Sequence, residues 1–306
     1  MTATPPELAP PEPMAIEPAA AAGEAPKRSS WALPLRIASG VLFVPLLLFL
    51  NQLGGFAFFT LVALVVAAGL IEFYTMMRGR ELRPYRRLGL ASALALLWVC
   101  AHPETPYVTF LATSGVLLVL ALELRRPEAT RRIEDIAVTW FGVLYVGWLS
   151  AHLVLLRELP WQSGLPYADG ARFVALAFAL TWSCDIGAFA VGRALGRTRP
   201  WSRISPRKSL EGAAGGLTAA ALAAFACRAT FAPFLSWLDA LALGLLAGVF
   251  SQVGDLVESL LKRDARFGDS SELIPGHGGV LDRFDSLFFA APVVYYYLRL
   301  VVFGLP

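Results

Sequence analysis

Nine apolar runs, most of them close to the length of a bilayer crossing, leave this chain few ways to fold. They cover Leu33–Leu53, Gly55–Met76, Leu88–Ala101, Tyr107–Leu124, Ile136–Leu156, Phe173–Leu195, Gly212–Ala232, Leu238–Leu261 and Phe284–Phe303. A helix needs about 20 mostly apolar residues to cross the hydrocarbon, where every backbone polar group must be satisfied internally. The third run is short and requires a tilted helix or a thinned bilayer. Composition agrees. Only 16% of residues are charged and 57% are hydrophobic, whereas soluble domains carry roughly 25% charged residues. The expected fold class is an all-α polytopic membrane protein.

Residues 1–30 are rich in Pro, Ala and Glu and contain no apolar run. Such a segment cannot bury a core, so it reads as a disordered tail, and its late basic pair Lys27-Arg28 argues against a secretory signal. The expected organisation is this tail, N-terminal transmembrane helices over 31–170, and a C-terminal catalytic transmembrane region over 171–306. Cys100, Cys184 and Cys227 are scattered and read as small apolar packing residues.

The basic residues orient the helices. With the N-terminus inside, 26 Lys and Arg residues fall into five inner segments, except Arg157, Arg172, Arg228 and Arg299. The inner segments centre on Lys27–Arg36, Arg78–Arg87, Arg125–Arg132, Arg193–Lys208 and Lys262–Arg283. Cytoplasmic loops are enriched in Lys and Arg, so this alternation supports nine helices, N-in and C-out.

Two of the inner segments carry chemistry. In the first, Asp185 interrupts an apolar run and should face the bundle interior with a partner, because a charge at the centre of a span costs about 2.5–3.5 kcal/mol on insertion scales. Arg203, Arg207 and Lys208 follow with Ser205 and Ser209. Arg forks match phosphate oxygens, although any cytoplasmic loop of a membrane protein is basic.

In the second, Ser251, Asp255, Glu258 and Lys262 share one helical stripe, which implies a wet cleft. A loop with Asp269, Gly276, His277, Gly278 and Gly279 follows, then Asp282 and Asp285 at i, i+3. Glycines let a backbone approach a ligand and expose N–H groups to anions. Paired carboxylates repel unless protonated or bridged by a cation, and an all-oxygen cluster fits Mg²⁺. The bland alternative is that Asp282 and Asp285 only cap a helix and pair with Arg283. His102 and His152 lie near the outer helix ends, so no histidine cluster is available for zinc.

The stretch S259-x-L-K-R-x4-G-D-x-S-x2-I-P-x-H-G-G-V-x-D-R-F-D285 resembles the signature of phosphatidate cytidylyltransferases. The upstream R203-I-S-P-R-K-S-L-E-G212 is similar to that family too. The resemblance implies an enzyme that joins CTP to phosphatidate, giving CDP-diacylglycerol and pyrophosphate among membrane lipids. It further implies Mg²⁺ with K⁺ beside it and a homodimer. A bacterial inner membrane fits the short loops, and no nucleic-acid partner is expected. Carried over by position, Asp255 and Asp282 match the metal ligands. Lys262, Arg263, Asp269, His277, Arg283 and Asp285 complete the catalytic set. Asp185, Arg203, Ser205, Lys208, Ser209, Ser259, Gly278 and Gly279 match substrate contacts. The family pattern has Lys-Asp where this chain has Gly268-Asp269, and Arg266 is the cation two residues away. Two alternatives follow: a catalytically weakened homologue that binds nucleotide or lipid, and a transporter with buried carboxylates. The acids sit mainly at helix ends rather than mid-span, which favours the enzyme.

Overall fold

The computed structural model describes residues 32–102, 107–126, 131–267 and 279–305, with side chains from residue 43 onward. Among the described residues there are nine helices and no strand. They are α1 (Ala32–Leu53), α2 (Gly55–Arg78), α3 (Arg86–Ala101), α4 (Val108–Glu123), α5 (Arg132–Ser163), α6 (Asp169–Leu195), α7 (Leu210–Thr230), α8 (Trp237–Asp264) and α9 (Leu281–Val302). Six of them, α2 and α5 to α9, are long and apolar enough to cross a membrane. Helices α3 and α4, at 16 residues each, rise only about 24 Å.

The helices end where the chain chemistry stops them. Between α1 and α2 the backbone takes positive φ at Gly54 and Gly55 (65° and 48°), a conformation that side chains disfavour. Helix α5 closes on Gly164 in the left-handed region. Helix α8 opens on a reciprocal cap, in which Ser236 accepts from the Asp239 N–H and Asp239 accepts from the Ser236 N–H. Helix α5 begins a turn before the apolar run at Ile136. Its early charge is accommodated, since Asp135 accepts the Arg83 N–H at 2.6 Å and pairs with Arg126 at 3.4 Å.

One contiguous apolar core runs from Leu47 of α1 to Leu298 of α9. In the C-terminal half the helices meet through small residues, as membrane helices do when backbones must approach closely. Gly187 of α6 faces Ala219 and Gly215 of α7, and Gly244 of α8 faces Ala220, Ala221 and Ala224 of α7. A Cβ on Gly254 of α8 would lie 2.5 Å from the Asp285 carbonyl oxygen of α9. These contacts bring α6, α7, α8 and α9 close together, the Gly254–Asp285 approach lying toward the end of the bundle where α8 finishes.

The arginine-rich segments gather at that same end. Arg80 pairs with Asp264 at the end of α8. Arg131 donates to the Arg80 carbonyl at 3.2 Å, Arg126 to the Arg83 carbonyl at 3.1 Å, and Arg263 to the Ile204 carbonyl at 3.3 Å.

At the opposite end, Arg157 is 1% exposed. Among the described contacts its guanidinium donates to carbonyls of Asn51 (2.9 Å), Gln52 (3.4 Å) and Tyr167 (3.0 Å), and it stacks over the Tyr167 ring. Two of those carbonyls belong to the last turn of α1, where intrahelical donors run out and a cation is favoured. Arg157→Met should therefore lower the thermal midpoint in detergent, by a stability loss on the order of 3 kcal/mol, and Arg157→Lys should recover only part. An unchanged midpoint in the Met variant would contradict this role.

Candidate active site

The stripe on α8 faces inward at the arginine-rich end. Ser251 is fully buried, Glu258 is 1% exposed, and Asp255 and Lys262 are partly open. Lys262 Nζ lies 2.9 Å from Asp282 Oδ1 and 3.5 Å from Glu258 Oε2, so one ammonium serves acids from α8 and α9. The second Asp282 oxygen accepts the Gly279 N–H at 3.1 Å. The Glu258 carboxyl stands close to both Asp285 and Asp282. Asp285 accepts the Ser286 N–H at 2.6 Å, and the Ser286 hydroxyl donates to Asp185 of α6 at 3.4 Å. Acids from three helices thus form one cluster.

The second ion pair joins the upstream segment to α8. Lys208 Nζ lies 2.8 Å from Asp255 Oδ2. Between them and α6 opens a cavity of about 580 Å³, lined by Asp185, Ser205, Lys208, Ser209 and Asp255 among others. Arg193, Arg199, Arg207 and Gln252 also line it. The loop is held in shape by its own bonds. Arg199 donates to the Pro206 carbonyl at 2.9 Å, and Glu211 accepts the N–H groups of Arg197 and Thr198. Ser209 caps α7, accepting from Gly212 N–H at 3.1 Å. Gln252 fixes α8 against α7 through the Ala213 carbonyl at 3.0 Å.

The structure therefore brings together Asp185, Ser205, Lys208, Ser209, Asp255, Lys262, Gly279, Asp282 and Asp285. Arg203 and Arg283 are exposed, and Arg203 is not among the residues lining the cavity. Arg263 is engaged with the Ile204 carbonyl. Ser259 is half-buried on α8. Gly268, Asp269, His277 and Gly278 lie outside the described residues.

Could this set hold a divalent cation? Among the described residues no three acidic, histidine or cysteine side chains stand as a ready metal cage. The donor chemistry nevertheless suits a hard cation, being all oxygen. Ser251 Oγ and Glu258 Oε1 are buried without a hydrogen-bond partner, and buried polar atoms rarely stay unpaired. The lysines now counter the charge that a metal would share.

The sequence over residues 34–301 matches the model of the Cytidylyltransferase family. The chain belongs to that family. It is 37% identical over 292 residues to the phosphatidate cytidylyltransferase of Synechocystis sp., covering 87% of this chain and 97% of that protein. Identity to the phosphatidate cytidylyltransferase of Bacillus subtilis is 34% over 274 residues, with the same coverages. The uncharacterized protein YnbB of Escherichia coli is 34% identical over 193 residues, 63% of each chain.

One residue beside the candidate site escaped the sequence reasoning. Glu72 of α2 is 2% exposed and accepts the N–H groups of Val280 (2.9 Å) and Leu281 (2.8 Å). A carboxylate there satisfies donors that the first turn of α9 leaves unpaired and suits the positive end of the helix. It anchors the turn that carries Asp282. The signal was present in the sequence, because Glu72 is the only acid in the apolar run of α2, and an ionisable residue inside a span implies a role. Glu72→Ala should lower kcat for nucleotidyl transfer by roughly 5- to 150-fold, from a loss of about 1–3 kcal/mol, with KM for CTP changed less. Full turnover in a folded variant would contradict the anchoring role.

Proposed function

We propose that this chain is a phosphatidate cytidylyltransferase working at the cytoplasmic face of a bacterial inner membrane. Family membership supports the reaction class. The observation that carries the reading is the pair of Lys–Asp bridges, Lys208–Asp255 and Lys262–Asp282, set at one end of the bundle with a charged cavity beside the first. The gathering of arginine-rich segments at that end supports an N-in, C-out arrangement.

The reaction joins two anions. A phosphate oxygen of phosphatidate attacks the α-phosphorus of CTP, the α–β P–O bond breaks, and pyrophosphate leaves. The nucleophile is already ionised near pH 7, so the barrier lies in charge and approach rather than in proton removal. Arg193, Arg199, Arg207 and Lys208 line the cavity and offer donors to phosphate oxygens; bidentate forks and ammonium groups suit that work. An ammonium carries three donors, so Lys208 and Lys262 can hold their carboxylates and still reach phosphate. Preorganised charges of this kind stabilise a transition state without reorganisation at the moment of reaction. Asp255 and Asp282 are the residues that would hold Mg²⁺, which supplies neutralisation of the triphosphate and its leaving group. Phosphatidate reaches the cavity sideways between α6 and its neighbours while its acyl chains stay in lipid.

Labelled CTP incorporated into chloroform-soluble lipid tests this directly. Asp255→Asn and Asp282→Asn should each abolish incorporation while membrane insertion persists. Chelation of divalent ions should abolish it in the native chain, and added Mg²⁺ should restore it. Near-normal activity in both variants, or activity without a divalent ion, would overturn the assignment.

A further inference from the structure

Helix α2 belongs to the N-terminal half, yet its last turns reach both sides of the Lys262–Asp282 bridge. On the Asp282 side, Glu72 accepts the N–H groups of Val280 and Leu281 at 2.9 and 2.8 Å. The Leu281 side chain is fully buried, and a Cβ on Gly69 of α2 would meet its Cδ1 at 3.9 Å. On the Lys262 side, the Phe267 N–H donates to the Lys262 carbonyl at 2.9 Å. The Phe267 ring lies across Gly79, the residue that ends α2, where a Cβ would stand 2.6 Å from Phe267 Cε2. Beside it, Arg80 pairs with Asp264, the last residue of α8. Glu72 and Gly79 are seven residues apart. That is two helical turns on one face, so the two grips stand roughly 10 Å apart along α2.

The backbone marks the same place. Among the described residues, the non-glycine positions with positive φ are Glu81 and Arg266, at 63° and 60°. One directly follows Arg80 and the other directly precedes Phe267. Such conformations cost about 1–3 kcal/mol each and persist only where surrounding contacts impose them. At Arg266 the left-handed turn closes α8 and sends Phe267 back against the helix it has just left. The Arg80–Asp264 pair is partly exposed, and water screens it, so the ring contact contributes more. Arg131 adds a further tie by donating to the Arg80 carbonyl at 3.2 Å.

We propose that the end of α2 is a positioning element of the site. Glu72 sets the place of Asp282, Gly79 with Phe267 sets that of Lys262, and one helix thereby fixes the spacing of the bridge. The need is geometric. Lys262 and Asp282 lie on different helices, and a small slip of α8 against α9 would part their 2.9 Å contact. The close approach of α8 to α9 at Gly254 lies eight residues before Lys262, roughly 12 Å away along α8. Beyond it, α2 supplies the brace. Phe267, Gly79 and Arg80 act through Lys262. The inference rests on the nucleotidyl transfer proposed above for its kinetic test only.

Phe267→Ala should lower kcat for labelled CTP incorporation roughly tenfold, with KM for CTP and phosphatidate within about twofold and the thermal midpoint near native. A contact that only stabilises the fold would lower the midpoint and leave kcat of the folded protein alone. Gly79→Leu should impair turnover by displacing the ring. Combined with Phe267→Ala, it should recover most of the loss, because the leucine fills the vacated space. Hydrogen exchange read by mass spectrometry needs no turnover. Phe267→Ala should speed exchange where α8 ends and Glu72→Ala where α9 begins, with α7 unchanged in both. A native chain that incorporates no CTP would remove the proposed reaction and leave the exchange result to decide the brace. Native kcat in the folded Phe267→Ala chain, a double variant no better than the worse single one, or unaltered exchange at both helix ends would overturn the proposal. Should Phe267→Ala alone not fold, Gly79→Leu and the double variant carry the same test.

Discussion

Clustered carboxylates must be neutralised, and the rest of the structure is arranged around that requirement. Asp185, Asp255, Glu258, Asp282 and Asp285 come from three membrane-length helices and form one acidic cluster. Left uncompensated, such a cluster would repel itself apart. Lys262 and Lys208 supply the opposing charge, one from within α8 and one from the segment before α7. Removing one partner of a buried pair typically costs more than the pair contributes, because the remaining charge is stranded. The same balance suits the metal-bound triphosphate proposed as substrate, which would bring both signs of charge at once.

Packing makes the cluster geometrically attainable. Glycine and alanine at the contacts of α6, α7, α8 and α9 let the backbones approach, so short acidic side chains from different helices can meet. The N-terminal helices also contribute. Glu72 of α2 holds the first turn of α9, and Arg157 of α5 holds the last turn of α1. Each is a buried charge spent on a helix end, where unpaired backbone groups are costly in lipid. Through Glu72, the position of Asp282 depends on a helix far away in sequence.

The helices were largely legible in the sequence, because apolar length is a strong signal. The ends of α6, α8 and α9 lie within a turn or so of the runs that defined them. Helix α5 extends further, seven residues past Leu156 to Ser163, and its charged first turn finds partners in Arg83 and Arg126 that no local pattern reveals. The polar stripe from Ser251 to Lys262 was readable from helical spacing. Its pairings were not, because Lys208 and Asp255 are 47 positions apart and their meeting depends on how α7 packs against α8. Arg157 read as a loop charge on the outer side, whereas its partners are carbonyls, which carry no sequence signature.

The most direct test asks whether the two acids act together on one ion. Paramagnetic resonance of Mn²⁺ titrated into the chain in lipid nanodiscs, with a non-transferable CTP analogue present, reads that ion without requiring turnover. A single nucleotide-dependent Mn²⁺ signal that disappears on replacing either Asp255 or Asp282 with its amide is the expected result. Unaltered Mn²⁺ and nucleotide binding in both amide variants would contradict the account.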